Sequence, residues 1–287
     1  MKKLKLKKNE SFFIREGWIE KALNTKDIQE KNIFGKENGI QILGIGANMV
    51  RSLRYWLSTS NIISGKNNLL SEFGYCLLKY DPYLENSFSW WLIHGNIVND
   101  DDQSPLFHII FYNFNLKKFS RKDLEEYIFN YFKDNDIDLS NFSSAKNDIG
   151  VFLRMYVEEK VSTPEDNLSS PIGKLHLLKK SGKELYEKTM PSYNNLDFRI
   201  VYYFVLKWNE RNGNRKELNI DDILNDTNSP AKIFNLDRNL FSKYLEDMKS
   251  AEFILLNRTA GLNTIELKKQ NYTITELFKD YFKEDGQ

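Results

Sequence analysis

The amino-acid sequence predicts a mainly α-helical protein with small β wings, arranged as tandem winged helix-turn-helix-like units. Three observations predict it. Apolar side chains recur at the three-to-four spacing of helices packed by one face. Helical runs lead into short strand-like stretches folded about a polar turn. This order comes round three times in 287 residues, as a repeat of pattern without the close identity that marks a solenoid. A chain of this length suits two or three small domains with real cores. They are expected at 1–104, a winged-helix-like domain with an aromatic helical connector, at 105–190, a second such domain, and at 191–287, a third.

In the first unit Glu16 to Asn24 reads as a helix with Trp18, Ile19 and Leu23 inward. Gly44 and Gly46 make a turn into the next helix, where Met49, Val50, Leu53, Tyr55, Trp56 and Leu57 form an apolar stripe and Arg51, Ser52 and Arg54 fall largely between them. Residues Ile62 to Leu78 read as a strand, a polar turn around Ser64 to Asn68, and a return. Leu78 to Phe114 is dense in aromatics and broken by Pro82, by Asp100 to Asp102 and by Pro105. With acidic neighbours, those rings read as helix-packing core rather than a stacking platform for unpaired bases.

In the second unit Ser120 caps "SRKDLEEYIFNYF", with Asp123 three residues on. "SSAKNDIGVFLRMYV" follows, with Ile149, Val151, Phe152, Met155 and Tyr156 apolar. A loop marked by Pro164 and Pro171 precedes the wing-like "GKLHLLKKSGKELYEK", and Pro191 marks the boundary before the third unit. There "DFRIVYYFVLKWNE" is a long buried helix and "NIDDILND" a short one capped by Asn219 or Asp221. A last helix runs into two strand-like stretches joined by the turn Asn257 to Gly261.

Lysine plus arginine number 41 against 40 aspartates plus glutamates, a formal charge of +1, so any polyanion site is a local patch rather than a global field. The segment from Ile42 to Ile63 is such a patch, with two arginines and no acidic residue. A winged helix-turn-helix lays its third helix in a DNA major groove, where arginine donates two hydrogen bonds to guanine and asparagine pairs with adenine. Asn48, Arg51, Ser52 and Arg54 have that chemistry, and Lys66 on the wing can meet a phosphate of double-stranded DNA. On the second unit's helix Lys146 and Arg154 are weaker candidates because Asp148 opposes them. In the third, Arg238, Lys243 and Lys249 are balanced by Asp237, Glu246 and Asp247, as in a packing or partner-binding module. The five lysines in the first eight residues read as a solvated arm able to touch phosphates. The alternative is that Arg51 and Arg54 are a solvated helix face of a non-catalytic protein–protein scaffold.

No catalytic constellation is legible, and the expectation is a protein that is not an enzyme and takes no cofactor or metal. His94, His108 and His176 have neither an i,i+4 partner nor a nearby cysteine pair of the kind zinc needs. Asp100 to Asp102 reads as a solvated loop rather than a magnesium site, and "GIG" at Gly44 to Gly46 lacks the strand and the lysine of a phosphate cradle. Cys76, the single cysteine, sits among Tyr75, Leu77 and Leu78 as an inert buried thiol and cannot form an internal disulfide. With no apolar opening run in "MKKLKLKK" and no stretch of about 20 apolar residues, the expected location is the cytoplasm, away from membranes.

The ordered segments "FFIREGWIEKAL", "LGIGANMVRSLRYWL", "DPYLENSFSWWLIHGNIV", "DIGVFLRMYV" with "EDNLSSPIGKLHLL", and "SPAKIFNLDRNLFSKYLEDM" with "TAGLNTIEL" resemble an uncharacterised bacterial family of unknown function, family 4007. The resemblance covers almost the whole chain. It implies a setting in gene clusters for DNA phosphorothioate modification and defence against phage, beside sulfur-transfer proteins similar to phosphoadenosine-phosphosulfate reductases. It supplies no catalytic residues. The resulting expectation is a DNA-binding accessory or regulatory protein of such a system, with sulfur-transfer or other modification proteins as partners.

Overall fold

A computed structural model describes residues 2–35, 38–158, 169–259 and 262–284. Several of its helices begin where a short polar side chain satisfies an exposed backbone N–H group. Ser71, Asn86, Ser120, Asp197, Asn219, Ser229 and Asp237 each accept a hydrogen bond from the first turn of the helix that follows. Ser120 and Asp123 complete a reciprocal capping box.

Residues 1–189 form one compact unit and 190–287 a second. The first runs α1 (Trp18–Leu23), α2 (Asn38–Leu43), α3 (Ala47–Thr59), β1 (Ile63–Ser64), β2 (Leu69–Leu70), α4 (Glu72–Tyr80), α5 (Ser87–Asn99), α6 (Pro105–Tyr112), β3 (Lys118–Ser120), α7 (Arg121–Asp134), α8 (Phe142–Tyr156), a 3-10 turn at Pro171–Leu175, β4 (Leu178–Lys180) and β5 (Leu185–Lys188). The second runs α9 (Phe198–Arg211), β6 (Glu217–Asn219), α10 (Ile220–Asn225), α11 (Pro230–Ile233), α12 (Arg238–Ser250), β7 (Ile254–Thr259), β8 (Leu262–Leu267) and α13 (Ile274–Glu284). The chain is mainly helical, and its described sheets are small and antiparallel. Ile63 pairs with Leu70 in the two-stranded sheet; the others have orders β3-β5-β4 and β6-β8-β7, with Phe119 opposite Tyr186 and Leu218 opposite Ile265.

Several elements depart from the sequence reading. The strand expected to return as far as Leu78 ends at Leu70, because the Ser71 hydroxyl caps α4 and Phe73, Cys76 and Leu77 share one buried helical face. Strands β3 and β6 were not foreseen: each has three residues with one buried, Phe119 or Leu218, too short to show a period. The hairpin β7–β8 is followed by a further helix, α13, which buries Leu277 and Phe278. Pro164, Ala260 and Gly261, assigned to loops above, lie outside the described residues.

The aromatic connector is the centre of the first unit. His94 on α5 and Tyr156 on α8 are fully buried, with His94 Nδ1 2.7 Å from the Tyr156 hydroxyl oxygen. Phe111 on α6 packs edge-on to His94 at 4.9 Å, and Phe107 lies 5.5 Å from Trp56 of α3 and 5.6 Å from Phe152 of α8. Such pairs hold ring edges against ring faces. Residues on both sides of the expected 104/105 division therefore share one core, and that division falls inside a single unit, whereas the change of unit lies between Thr189 and Met190. No helix among the described residues is long and apolar enough to cross a membrane.

Candidate nucleic-acid interface

Helix α3 separates its faces as its spacing predicts. Val50, Leu53, Trp56 and Leu57 are buried, and the Trp56 indole N–H donates to the Phe12 carbonyl at 3.0 Å. Asn48, Arg51, Arg54 and Ser58 are exposed on the opposite side. Ser52 is not: it is completely buried on the core side, so its assignment as a DNA contact is corrected. Position 52 is one residue from Leu53 and four from Trp56, which places it under the apolar stripe.

An open depression of about 390 Å³ lies over this face, lined by Lys8, Glu10, Arg51, Arg54, Tyr55, Ser58 and Gln103. Arg51 Nε donates to Glu10 Oε1 at 3.1 Å, and a second guanidinium nitrogen donates to Asn48 Oδ1. Arg54 Nε donates to Asn68 Oδ1 at 3.0 Å. That bond fastens the β1–β2 hairpin to α3, and Lys66 stands exposed in the hairpin turn beside Gly65, whose φ of 70° suits a residue without a Cβ. The Tyr55 hydroxyl donates to the Gln103 carbonyl at 3.0 Å, and burial raises the phenol well above its ordinary range.

The N-terminal lysines are not a free arm. Lys2 bridges to Ile137 in parallel, with its N–H on the Asp136 carbonyl at 2.9 Å, and Lys5 pairs with Asp102. The Lys7 N–H donates to Asp148 at 2.8 Å and the Asn9 amide donates to the other carboxylate oxygen at 2.9 Å. Burial, only partly offset by these bonds, pushes the Asp148 carboxyl up to about 6. The backbone is thus docked while Lys2, Lys3, Lys5, Lys7 and Lys8 keep exposed side chains. Asp148, expected merely to oppose nearby cations, is the anchor of this segment. No spacing in the sequence announces a pairing 141 residues apart.

The α8 candidates serve different ends. Arg154 donates to the Ser11 carbonyl at 3.1 Å and lies over the Phe13 ring, bracing the docked segment. Lys146 is 3.6 Å from Glu125 and over the Phe142 ring, so its partners are not those of the α3 depression. In the second unit Arg238 pairs with Asp221 rather than Asp237, Lys249 and Arg258 share Glu246, and Asp247 accepts from the Tyr193 hydroxyl.

The residues weighed for chemistry are dispersed. His108 Nδ1 is 3.0 Å from the Val98 carbonyl, and His176 is exposed 3.8 Å from Glu158. Asp100 accepts the backbone N–H groups of Asp102 and Gln103, and Cys76 is buried. Among the described residues no group of three or more His, Cys, Asp or Glu side chains is placed to hold a metal ion.

Residues 7–282 match the family described as "Protein of unknown function (DUF4007)". No curated protein matches the chain. A magnesium ion-bound SspB crystal structure is similar over 98% of this chain and 87% of that one, with 23% identity and a TM-score of 0.83. A second SspB crystal structure has 22% identity, the same coverage of each chain and a TM-score of 0.78. At these identities the likeness concerns the fold alone.

Proposed function

The chain belongs to the DUF4007 family, and we propose that it binds double-stranded DNA through winged helix-turn-helix units, as a cytoplasmic, non-catalytic accessory or regulatory component of a phosphorothioate modification and anti-phage defence system. The observation that carries the reading is the exposed α3 face, where Arg51, Arg54 and Lys8 gather around one depression with Lys66 on the adjoining hairpin. The winged-helix reading draws support from the strand orders β3-β5-β4 and β6-β8-β7, with helices α7 and α8 between first strand and hairpin in one sheet and α10, α11 and α12 in the other. The defence setting rests on the family resemblance, which also suggests sulfur-transfer proteins as partners.

The test is titration of the full chain with modified and unmodified duplexes at several salt concentrations. Phosphate contacts make affinity fall steeply with salt. Arg51→Ala and Arg54→Ala should each weaken binding by about 1–3 kcal/mol. Unchanged binding in both folded variants would refute the α3 interface.

Two other readings have their own observations. A scaffold reading is favoured by the second unit, whose Arg238, Lys249 and Arg258 are engaged by carboxylates while Leu255 and Tyr193 stand exposed. A metal-assisted nicking reading takes its cue from the magnesium ion of one SspB structure. Against it, no group of three or more His, Cys, Asp or Glu side chains among the described residues of this chain is placed to hold that ion. Incubation of supercoiled plasmid with magnesium, manganese or zinc separates it from the first reading, with Asp101→Ala and Cys76→Ser alongside. Intact plasmid agrees with a non-catalytic binder; nicking lost in either variant would establish catalysis and name its residue.

A further inference from the structure

The α3 depression holds an anion of the protein's own. Glu10 accepts from Arg51 Nε at 3.1 Å and lies 3.4 Å from Nη2, the two-oxygen contact that a guanidinium also makes with phosphate. Lys8 and Arg54 stand in the same depression, with Ser58 and Gln103 as further polar neighbours.

The backbone that presents Glu10 is unusual. Lys7, Glu10 and Ser11 have φ of 57°, 50° and 67°, in the left-handed region that side-chain-bearing residues seldom enter. Such a turn persists where its surroundings over-determine it. Asn9, almost completely buried, bonds Asp148 through its amide and takes the Ser11 N–H on its oxygen at 2.9 Å. Asn147 donates to the Ser11 hydroxyl and Arg154 to the Ser11 carbonyl, and Trp56 holds the carbonyl of Phe12. This bracing keeps a carboxylate on Arg51, at the centre of the exposed cationic face.

We propose that the depression is a phosphodiester-binding site in which a backbone phosphate of the DNA replaces the Glu10 carboxylate on Arg51, with Glu10 as a built-in competitor. The proposal rests on the DNA-binding reading of α3 and deepens it. The exchange is one of ion pairs: the Arg51–Glu10 pair opens, Arg51 takes phosphate oxygens, Glu10 turns to water, and Lys8 and Arg54 supply the remaining positive charge. Weakly held anions are rejected because they do not displace a tethered carboxylate.

The experiment is fluorescence anisotropy of a labelled duplex with the full-length parent, Glu10→Gln, Glu10→Ala, Arg51→Ala and the Glu10→Gln/Arg51→Ala double variant, each checked for fold by circular dichroism. Removing the competitor should tighten binding about two- to fivefold, the range of an exposed ion pair. The gain should vanish when Arg51 is absent. Unchanged or weaker binding by both Glu10 variants, with Arg51→Ala still impaired, overturns the exchange and leaves the DNA-binding reading standing. No effect from the Glu10 variants or Arg51→Ala overturns the exchange, and if Arg54→Ala is equally without effect the α3 interface falls with it.

Discussion

Raising the pH from 4 to 7 should cost this protein stability at one buried carboxylate. Asp148 is 5% exposed, and its carboxyl is pushed up to about 6, first by burial and against the bonds from Lys7 and Asn9. In the unfolded chain it titrates at about 3.9. Between those values the folded state keeps a proton that the unfolded state has released, so the stabilising contribution is complete below about pH 4 and is lost as pH rises through 6. About two pH units at 1.36 kcal/mol each give an upper figure of about 3 kcal/mol. Asp148→Asn is neutral throughout and lacks this loss. Urea unfolding of parent and variant at pH 4, 5, 6 and 7 gives their difference in stability, in which the lowered carboxyls of Asp102 and Asp123 cancel. The parent should lose ground to the variant by up to about 3 kcal/mol across that interval. A difference that is flat, or that moves in the parent's favour, would refute the reasoning and mean that the bonds from the N-terminal segment outweigh burial.

Trp56→Ala should cost about 3–5 kcal/mol in urea denaturation, since the ring is fully buried against Phe107. Trp56→Phe, which keeps a ring but leaves the Phe12 carbonyl without the indole donor, should cost about 1–3 kcal/mol. Gly74→Ala should lower the thermal midpoint and cost about 1–3 kcal/mol or more, because a Cβ there would stand 2.2 Å from the Ile62 carbonyl oxygen, a backbone atom that cannot swing aside. Tyr156→Phe should cost about 0.5–1.5 kcal/mol by removing the hydroxyl that meets His94, measured by the same urea titration.

The fold was legible wherever a helix carries a cap or an apolar stripe. Ser120 with Asp123, Asn219, and the α3 pattern of Val50, Leu53, Trp56 and Leu57 are local signals, and the structure places a helix at each. Elements of two or three residues were not legible, since a strand such as Lys118–Ser120 is defined by its partner Leu185–Lys188 and not by its own composition. The same reason hid the working parts of the candidate site. Arg51 was visible because its neighbours are basic and apolar; Glu10, Asn9 and Asp148 were not, because their roles come from pairings 41 and 139 residues apart. Ser52 was misplaced by small size and polarity, which suit a surface but also fit beneath a close-packed helix.

The two three-stranded sheets also have a temporal meaning. In each, the strand made last occupies the middle, so β3 and β6 leave the ribosome long before β5 and β8, the strands that complete them. The hairpins β4–β5 and β7–β8 close short loops, whereas the pairings of Ser120 with Leu185 and Asn219 with Thr264 close long ones across the intervening helices, at a higher entropic cost. Loop-closure cost therefore favours an order of assembly opposite to the order of synthesis. Until each first strand is recruited, one edge of the hairpin stays open to pairing with another nascent chain, and slow packing of α7 with α8, or of α10 through α12, prolongs that exposure.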